Sequence, residues 1–186
     1  KKLFRILGYM VYIPAAILFL FELYRTAMVI IPQYQQYKWF VIGMAGYYIL
    51  GVFFKKNRKF LQTFSHELTH TIVAMLFLRK MHSFTAERGE GVMTYTTGRF
   101  RLGSTMISLS PYFLPIFTIF FMLIRHVVVG DAVYIFDALI GFTFAFHLGC
   151  FAAQTGSYQT DIQQNGLFYS YLIITTFLAL NISIVL

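Results

Sequence analysis

The chain alternates between long apolar runs and short polar stretches, and six of the apolar runs are candidates for crossing a membrane. A helix needs roughly 20 apolar residues to cross the hydrocarbon core of a bilayer. The pattern therefore predicts an all-α polytopic membrane protein with about six transmembrane helices. The predicted spans are residues 6–21 (extending to 31 with a kink at Pro14), 39–54, 60–78, 104–124, 132–153 and 167–186.

The polar segment 79–103 is the longest break between two predicted spans. Its residues 92–97 read Val-Met-Thr-Tyr-Thr-Thr, which is rich in the residue types that favour strands. The turn-forming sequence Gly89-Glu90-Gly91 precedes this stretch, and Gly98 follows it. We expect a short β-hairpin here, with a plain connecting loop as the alternative. An edge strand at this position would hold an extended peptide by β-augmentation.

Composition narrows the class of protein. Hydrophobic residues make up 58% of the chain, charged residues 12%, and the mean hydropathy is +0.67. The net charge of +8 comes from basic residues in short runs beside the apolar segments. Basic residues at these positions are typical of contact with anionic lipid headgroups. We therefore expect the lipid bilayer as a partner and no nucleic acid. Cys150 is the single cysteine, which excludes an internal disulfide.

The third predicted span carries the sequence His66-Glu67-Leu68-Thr69-His70. Two histidines four residues apart share one face of a helix, about 6 Å apart along its axis. This spacing suits two imidazole nitrogens on one tetrahedral Zn2+ ion, with Glu67 as general base. Three ionisable groups in one turn at membrane depth cost several kcal/mol unless they are paired, solvated or metal-bound. The alternative is that both histidines hydrogen-bond to neighbouring helices.

A catalytic zinc ion takes three protein ligands and keeps its fourth position for water. The chain has to supply one ligand beyond His66 and His70, and the sequence offers several. The candidates are Glu87, Glu90, Asp131, Asp137, Asp161, His82, His126 and His147.

Counting the predicted crossings favours Asp161. Two predicted spans separate the polar segment 79–103 from the polar segment 154–166, so both segments lie on one side of the membrane. From His70 to Arg79 is about 13 Å of helix. A polar segment that dips inward by that distance lines a wet cavity and brings Asp161 to the histidines. Asp137 approaches from the other side and is the second choice.

His147 lies alone in the fifth predicted span. A single histidine within a helix more often hydrogen-bonds to a neighbour than binds a metal ion. Its alternative role is to orient a substrate or to stabilise an oxyanion.

The chain resembles the site-2 protease family of intramembrane zinc metalloproteases in the order of its predicted elements. HELTH lies in one span, a strand-like loop and a second span follow it, and a further span leads to an aspartate. The resemblance covers about residues 60–166. It implies that His66 and His70 bind zinc, that Glu67 is catalytic and that Asp161 is the third ligand. The family's aspartate usually lies in an Asn-Pro…Asp-Gly setting, whereas here Ile162 follows Asp161 and no Asn-Pro precedes it.

This interpretation makes residues 1–186 a single transmembrane domain. Residues 1–59 form two accessory spans, residues 60–166 the metalloprotease core, and residues 167–186 the final span. The resemblance implies an integral protein of the bacterial cytoplasmic membrane that cleaves peptide bonds of membrane-embedded protein or peptide substrates.

Two other classes of function remain as alternatives. One is a non-catalytic scaffold or subunit of a larger membrane protein complex, with a structural or vestigial zinc site. The other is a transporter, which would carry acidic or histidine residues along several spans. In this chain such residues concentrate around one helical turn, so the transporter ranks last.

Overall fold

The computed structural model describes residues 2–53, 55–87, 91–96 and 101–186, most of which are helical. Short 3-10 turns follow α1 and α4, at Ile31–Gln33 and Ser110–Tyr112. The helices are α1 (Lys2–Ile30), α2 (Lys38–Phe53), α3 (Lys55–Leu76), α4 (Arg101–Leu109), α5 (Ile116–Arg125), α6 (Ala132–Gln154), α7 (Thr160–Asn165) and α8 (Leu167–Val185), and the strands are β1 (Met81–Ala86) and β2 (Gly91–Tyr95).

Three of the described helices, α1, α6 and α8, are long and apolar enough to cross a membrane. They confirm the first, fifth and sixth predicted spans as candidates by length and composition. The fourth predicted span is broken into α4 and α5, whose axes differ by 83°. Pro111 and Pro115 lie in this break, where proline cannot continue the helical hydrogen bonds.

The second and third predicted spans correspond to α2 and α3, which are not among the helices long and apolar enough to cross a membrane. Helix α2 is apolar but has 16 residues, fewer than the roughly 20 that a span needs. Helix α3 begins with the basic sequence Lys55-Lys56-Asn57-Arg58-Lys59 and carries the HELTH motif. The described chain thus has three candidate spans, or four if the bent pair counts as one, and the number six stays a prediction.

Helices α2 and α6 pack closely because glycines line their contact. A Cβ atom at Gly43 would overlap the carbonyl oxygen of Ala138. A Cβ atom at Gly141 would overlap the carbonyl oxygen of Phe40. Only hydrogen fits at both positions, so the two backbones approach each other as they do in small-residue helix contacts within membranes.

A second contact region holds the short helix α7 against α8 and against the break between α4 and α5. Ile162 of α7 is fully buried, and its carbonyl oxygen accepts a 2.9 Å hydrogen bond from the Ser170 hydroxyl of α8. The buried residues of this cluster are Leu109, Tyr112, Phe113, Ile162, Tyr169, Ile173 and Ile174. Apolar packing therefore fixes the segment that carries Asp161.

The predicted β-hairpin is confirmed. Strands β1 and β2 pair antiparallel, with Phe84 opposite Met93 and Ala86 opposite Gly91. The hairpin packs on α3, where the rings of Phe64 and Phe84 meet edge to face at 6.0 Å between centroids. The other predicted turn residues, Gly89 and Gly98, lie outside the described residues.

Candidate metal centre

His66, His70 and Asp161 come together at one point between α3 and α7. The Nε2 atom of His66 lies 3.7 Å from Asp161 Oδ2, and the Nε2 atom of His70 lies 3.4 Å from the same oxygen. The two imidazole rings are 4.8 Å apart between centroids and nearly perpendicular. One helix face therefore supplies two nitrogen donors, and a distant part of the chain supplies an oxygen donor.

This donor set fits a metal ion. One possible ligand atom from each residue lies within 4.8 Å of the other two. Two ligand atoms on a tetrahedral zinc ion with bonds of about 2.0–2.2 Å are separated by roughly 3.3–3.6 Å. The nitrogen–oxygen distance to His70 falls in that range, and the distance to His66 exceeds it slightly.

The backbone of α4 orients the His70 ring. Its Nδ1 atom lies 2.7 Å from the carbonyl oxygen of Ile107. Because a carbonyl oxygen only accepts, Nδ1 carries the hydrogen and Nε2 keeps its lone pair for a metal ion. Hydrogen bonds of this kind fix the tautomer of metal-binding histidines.

The His66 ring is held by ring packing, whereas the His70 ring is held by a hydrogen bond to the backbone. The Nδ1 atom of His66 is buried and has no hydrogen-bond partner among the described residues. Its ring contacts the ring of Tyr112 edge to face, at 5.3 Å between centroids. The Tyr112 hydroxyl is buried as well, and it interacts with the Asp161 carboxylate. Aromatic packing thus holds the His66 ring beside Asp161.

Asn165 ties the helix that carries Asp161 to α4. Its side-chain oxygen accepts a 2.9 Å hydrogen bond from the Thr105 hydroxyl. Its side-chain nitrogen donates to the Ser108 hydroxyl at 2.7 Å and to the carbonyl oxygen of Asp161 at 2.9 Å. A single amide therefore connects α4 to α7 and fixes the position of Asp161.

The charge of Asp161 is stabilised by the histidines. Burial by itself raises the pKa of Asp161, but the hydrogen-bonding and electrostatic contacts of its carboxylate with His66 and His70 outweigh burial. The pKa of this carboxyl group is therefore held below its usual range. Asp161 is ionised at neutral pH, as a metal ligand has to be.

Glu67 lies beside the three residues, on the wall of a cavity of about 360 Å³. The residue is only 7% exposed, and His70 and Asp161 line the same cavity. Strand β2 forms the opposite wall through Gly91, Val92, Met93 and Tyr95. The arrangement places a carboxylate, a candidate metal site and one edge of β2 together around one cavity.

Gly91 makes this close approach of β2 to α3 possible. A Cβ atom at this position would lie 2.6 Å from Glu67 Cγ and 2.7 Å from Glu67 Oε1. It would also lie 2.8 Å from Thr63 Cγ2. Any side chain at Gly91 would therefore displace either the strand or the Glu67 carboxylate.

Asp137, the second choice for the third metal ligand, does not lie with His66 and His70. Its Oδ1 atom lies 2.8 Å from Arg125 Nε, near the start of α6. Seventeen residues of α6 separate it from Gln154, which is about 26 Å of helix. Asp161, and not Asp137, therefore lies with His66 and His70, as predicted from the sequence.

The other candidate ligands are not brought to His66 and His70. His82 lies on the hairpin, with Nε2 at 2.9 Å from the Thr96 hydroxyl. His147 is buried within α6, and its Nε2 atom has no partner among the described residues. Glu87, His126 and Asp131 are exposed, and Glu90 lies outside the described residues.

Three contributors to the site were missed by sequence reasoning. Tyr112 packs on His66, the Ile107 carbonyl holds His70, and Asn165 fixes Asp161. The prolines around Tyr112 were a signal for irregular backbone, because Ser110-Pro111-Tyr112-Phe113-Leu114-Pro115 cannot form a regular helix. No local pattern marks Asn165 or the Ile107 carbonyl, since both act through long-range contacts.

Comparisons of the chain with models of protein families, with curated proteins and with solved structures found no match. The resemblance to the site-2 protease family rests on the HELTH motif and the order of elements around it.

Proposed function

We propose that the protein is an intramembrane zinc metallopeptidase that hydrolyses peptide bonds of membrane-embedded substrates. One observation carries the proposal. The Nε2 atoms of His66 and His70 lie close to the carboxylate of Asp161, and His70 and Asp161 line a cavity of about 360 Å³ together with Glu67. Two imidazoles, one carboxylate and a neighbouring glutamate are the donor set of zinc peptidases.

Each residue has a separate task in this proposal. His66, His70 and Asp161 hold the ion, which supplies Lewis acidity to a water molecule and to the substrate carbonyl when bound. Glu67 accepts a proton from the attacking water and passes it to the departing amine. Its low exposure keeps the carboxylate from full hydration, and the 360 Å³ cavity leaves room for water and substrate.

Strand β2 supports a role in holding an extended substrate. It pairs with β1 on one side, and it lines the cavity with Gly91, Val92, Met93 and Tyr95. Alternate backbone amides and carbonyls of a strand with one partner point away from that partner. A substrate segment added to this edge is extended, so its peptide bonds are accessible, whereas a helix hides them.

The rival proposal is a non-catalytic scaffold or complex subunit that keeps a structural or vestigial zinc site. Structural zinc sites are closed by four protein ligands, whereas catalytic sites use three and leave a position open. The described residues bring three candidate ligands together, next to an open cavity and a carboxylate. These features favour hydrolysis over a purely structural ion.

The direct test is metal-dependent cleavage by the purified protein in lipid nanodiscs. A membrane-protein fraction serves as substrate, and new peptide termini are identified by mass spectrometry. We expect one zinc ion per chain, new termini within predicted membrane segments, loss of cleavage with a chelator and recovery with added Zn2+. One bound zinc ion without any cleavage would support the scaffold, and absence of bound metal would overturn both proposals.

Gly91→Ala tests whether the contact between β2 and Glu67 matters for cleavage. The added methyl group overlaps Glu67 Cγ and Thr63 Cγ2, so the carboxylate or the strand has to move. A displacement of about 1 Å in a catalytic site costs on the order of 100-fold in rate. We expect a fall of about that size in kcat/KM, with zinc content unchanged.

Gly51→Ala is the matched control for this substitution. A Cβ atom at Gly51 meets no atom within 4 Å, and the position lies in α2 away from the cavity. Its cleavage rate should equal that of the wild type. Equal rates for Gly91→Ala and Gly51→Ala would contradict the role given to the strand contact.

A further inference from the structure

A second cavity of about 330 Å³ lies at the opposite end of α6 from the metal centre. It is formed where α2 and α6 begin and where α5 and α8 end. One part of its wall is polar and charged, and the rest is apolar. The polar residues are Gln36, Tyr37, Arg125, His126 and Asp137, and the apolar residues are Phe40, Met122, Ile140 and Val185.

The residues around this cavity are typical of a membrane–water interface. The rings of Trp39 and Tyr134 lie 5.8 Å apart between centroids, and the ammonium group of Lys38 lies 5.5 Å from the Trp39 ring centroid. Tryptophan, tyrosine and lysine collect at the headgroup level of bilayers. The neighbouring Val127 and Val129 are 79% and 85% exposed, which suits contact with lipid better than contact with water.

Arg125 and Asp137 present a paired positive and negative charge in the cavity. Arg125 Nε lies 2.8 Å from Asp137 Oδ1, and the two side chains are 41% and 23% exposed. This is the one hydrogen bond that the guanidinium group makes to described residues, so its terminal amino groups remain as donors. The second carboxylate oxygen of Asp137 remains as an acceptor, and His126 adds a further donor at the rim.

We propose that this cavity binds the headgroup of a zwitterionic phospholipid of the phosphatidylethanolamine class. The phosphate accepts hydrogen bonds from the Arg125 amino groups and from His126, and the ammonium group donates to Asp137. The acyl chains follow the apolar wall formed by Phe40, Met122 and Val185. An anionic lipid without an ammonium group meets the same guanidinium but is repelled by Asp137.

The size of the cavity agrees with a headgroup site. Cavities that enclose whole drug-sized ligands occupy about 300–1,000 Å³, and 330 Å³ is at the lower end of that range. The headgroup therefore occupies the polar part of the cavity, and the acyl chains leave it along the apolar wall toward the bilayer. The proposal does not depend on hydrolysis at the metal centre, because the two cavities have no lining residue in common.

The test is native mass spectrometry of the full chain released from nanodiscs that contain equal amounts of phosphatidylethanolamine and phosphatidylglycerol. We expect the wild type to retain one phosphatidylethanolamine molecule in preference to phosphatidylglycerol. Arg125→Gln should lower this occupancy about tenfold, as expected for loss of hydrogen bonds to a charged group. Asp137→Asn should reverse the preference, because the residue that repels an anionic lipid is gone.

Arg25→Gln is the matched control, since Arg25 forms an exposed ion pair with Glu22 at 3.2 Å on α1, away from the cavity. This variant should retain the lipid like the wild type. Arg125→Lys, which keeps the charge, should retain more lipid than Arg125→Gln, and monodispersity of every variant on a sizing column checks folding. Equal retention of both lipids by the wild type, or equal occupancy in Arg125→Gln and Arg25→Gln, would overturn the proposal.

Discussion

Glu67→Gln should lower peptide cleavage by about 10²–10⁴-fold, the usual contribution of a general base, and leave zinc binding unchanged. Glutamine keeps the size of the side chain at a position that is only 7% exposed, so packing is preserved. It cannot accept a proton from water, and the chemistry therefore loses its base. The three candidate metal ligands, His66, His70 and Asp161, are untouched by this change.

The measurement compares cleavage rate and zinc content in the same nanodisc preparation. Glu22→Gln is the matched control, because Glu22 is an exposed residue of α1 whose partner is Arg25. It should cleave at the wild-type rate. If Glu67→Gln also cleaved at that rate with its zinc in place, Glu67 would not be the general base.

Asp161→Asn should weaken zinc binding by more than roughly 100-fold. Loss of a residue that only orients a metal ligand costs roughly 10–100-fold in affinity, and loss of a ligand itself should cost more. The substitution removes the negative charge that His66 and His70 contact at 3.7 and 3.4 Å. It also leaves a site with two neutral imidazoles and no anionic ligand, so the positive charge of the ion is less well balanced. Cleavage should fall in parallel with zinc occupancy.

The affinity is measured by competition with a chromogenic zinc chelator. Asp131→Asn is the control, because Asp131 is an exposed residue before α6 that makes no side-chain hydrogen bond to cap the helix. Its affinity should match that of the wild type. Wild-type affinity in Asp161→Asn would mean that another residue completes the site, and the proposed ligand set would be wrong.

Local features of the sequence predicted several elements well. The four-residue spacing of His66 and His70 put both rings on one face of α3, because helical periodicity depends only on neighbouring residues. The strand-forming run after Gly91 predicted β2, and the pairing with β1 follows from the short connection between them. Apolar length alone predicted α1, α6 and α8 as candidate spans.

Other elements depended on packing between distant parts of the chain. The prolines of the fourth predicted span were visible, but the 83° bend between α4 and α5 depends on how Tyr112 and Phe113 pack against α7 and α8. The close approach of β2 to Glu67 could likewise not be predicted from the sequence, because a glycine in a turn-rich segment has many possible roles.

Local sequence patterns were enough to predict long apolar helices, a hairpin after α3 and two histidines on one helix face. The sequence also favoured Asp161 as the third ligand, but the contacts that bring it to the histidines are visible only in the folded chain. Asp161 reaches the histidines because Ile162 is buried against α8 and Asn165 bonds to Thr105 of α4. These contacts link residues far apart along the chain, so no local pattern of hydrophobic and polar positions encodes them.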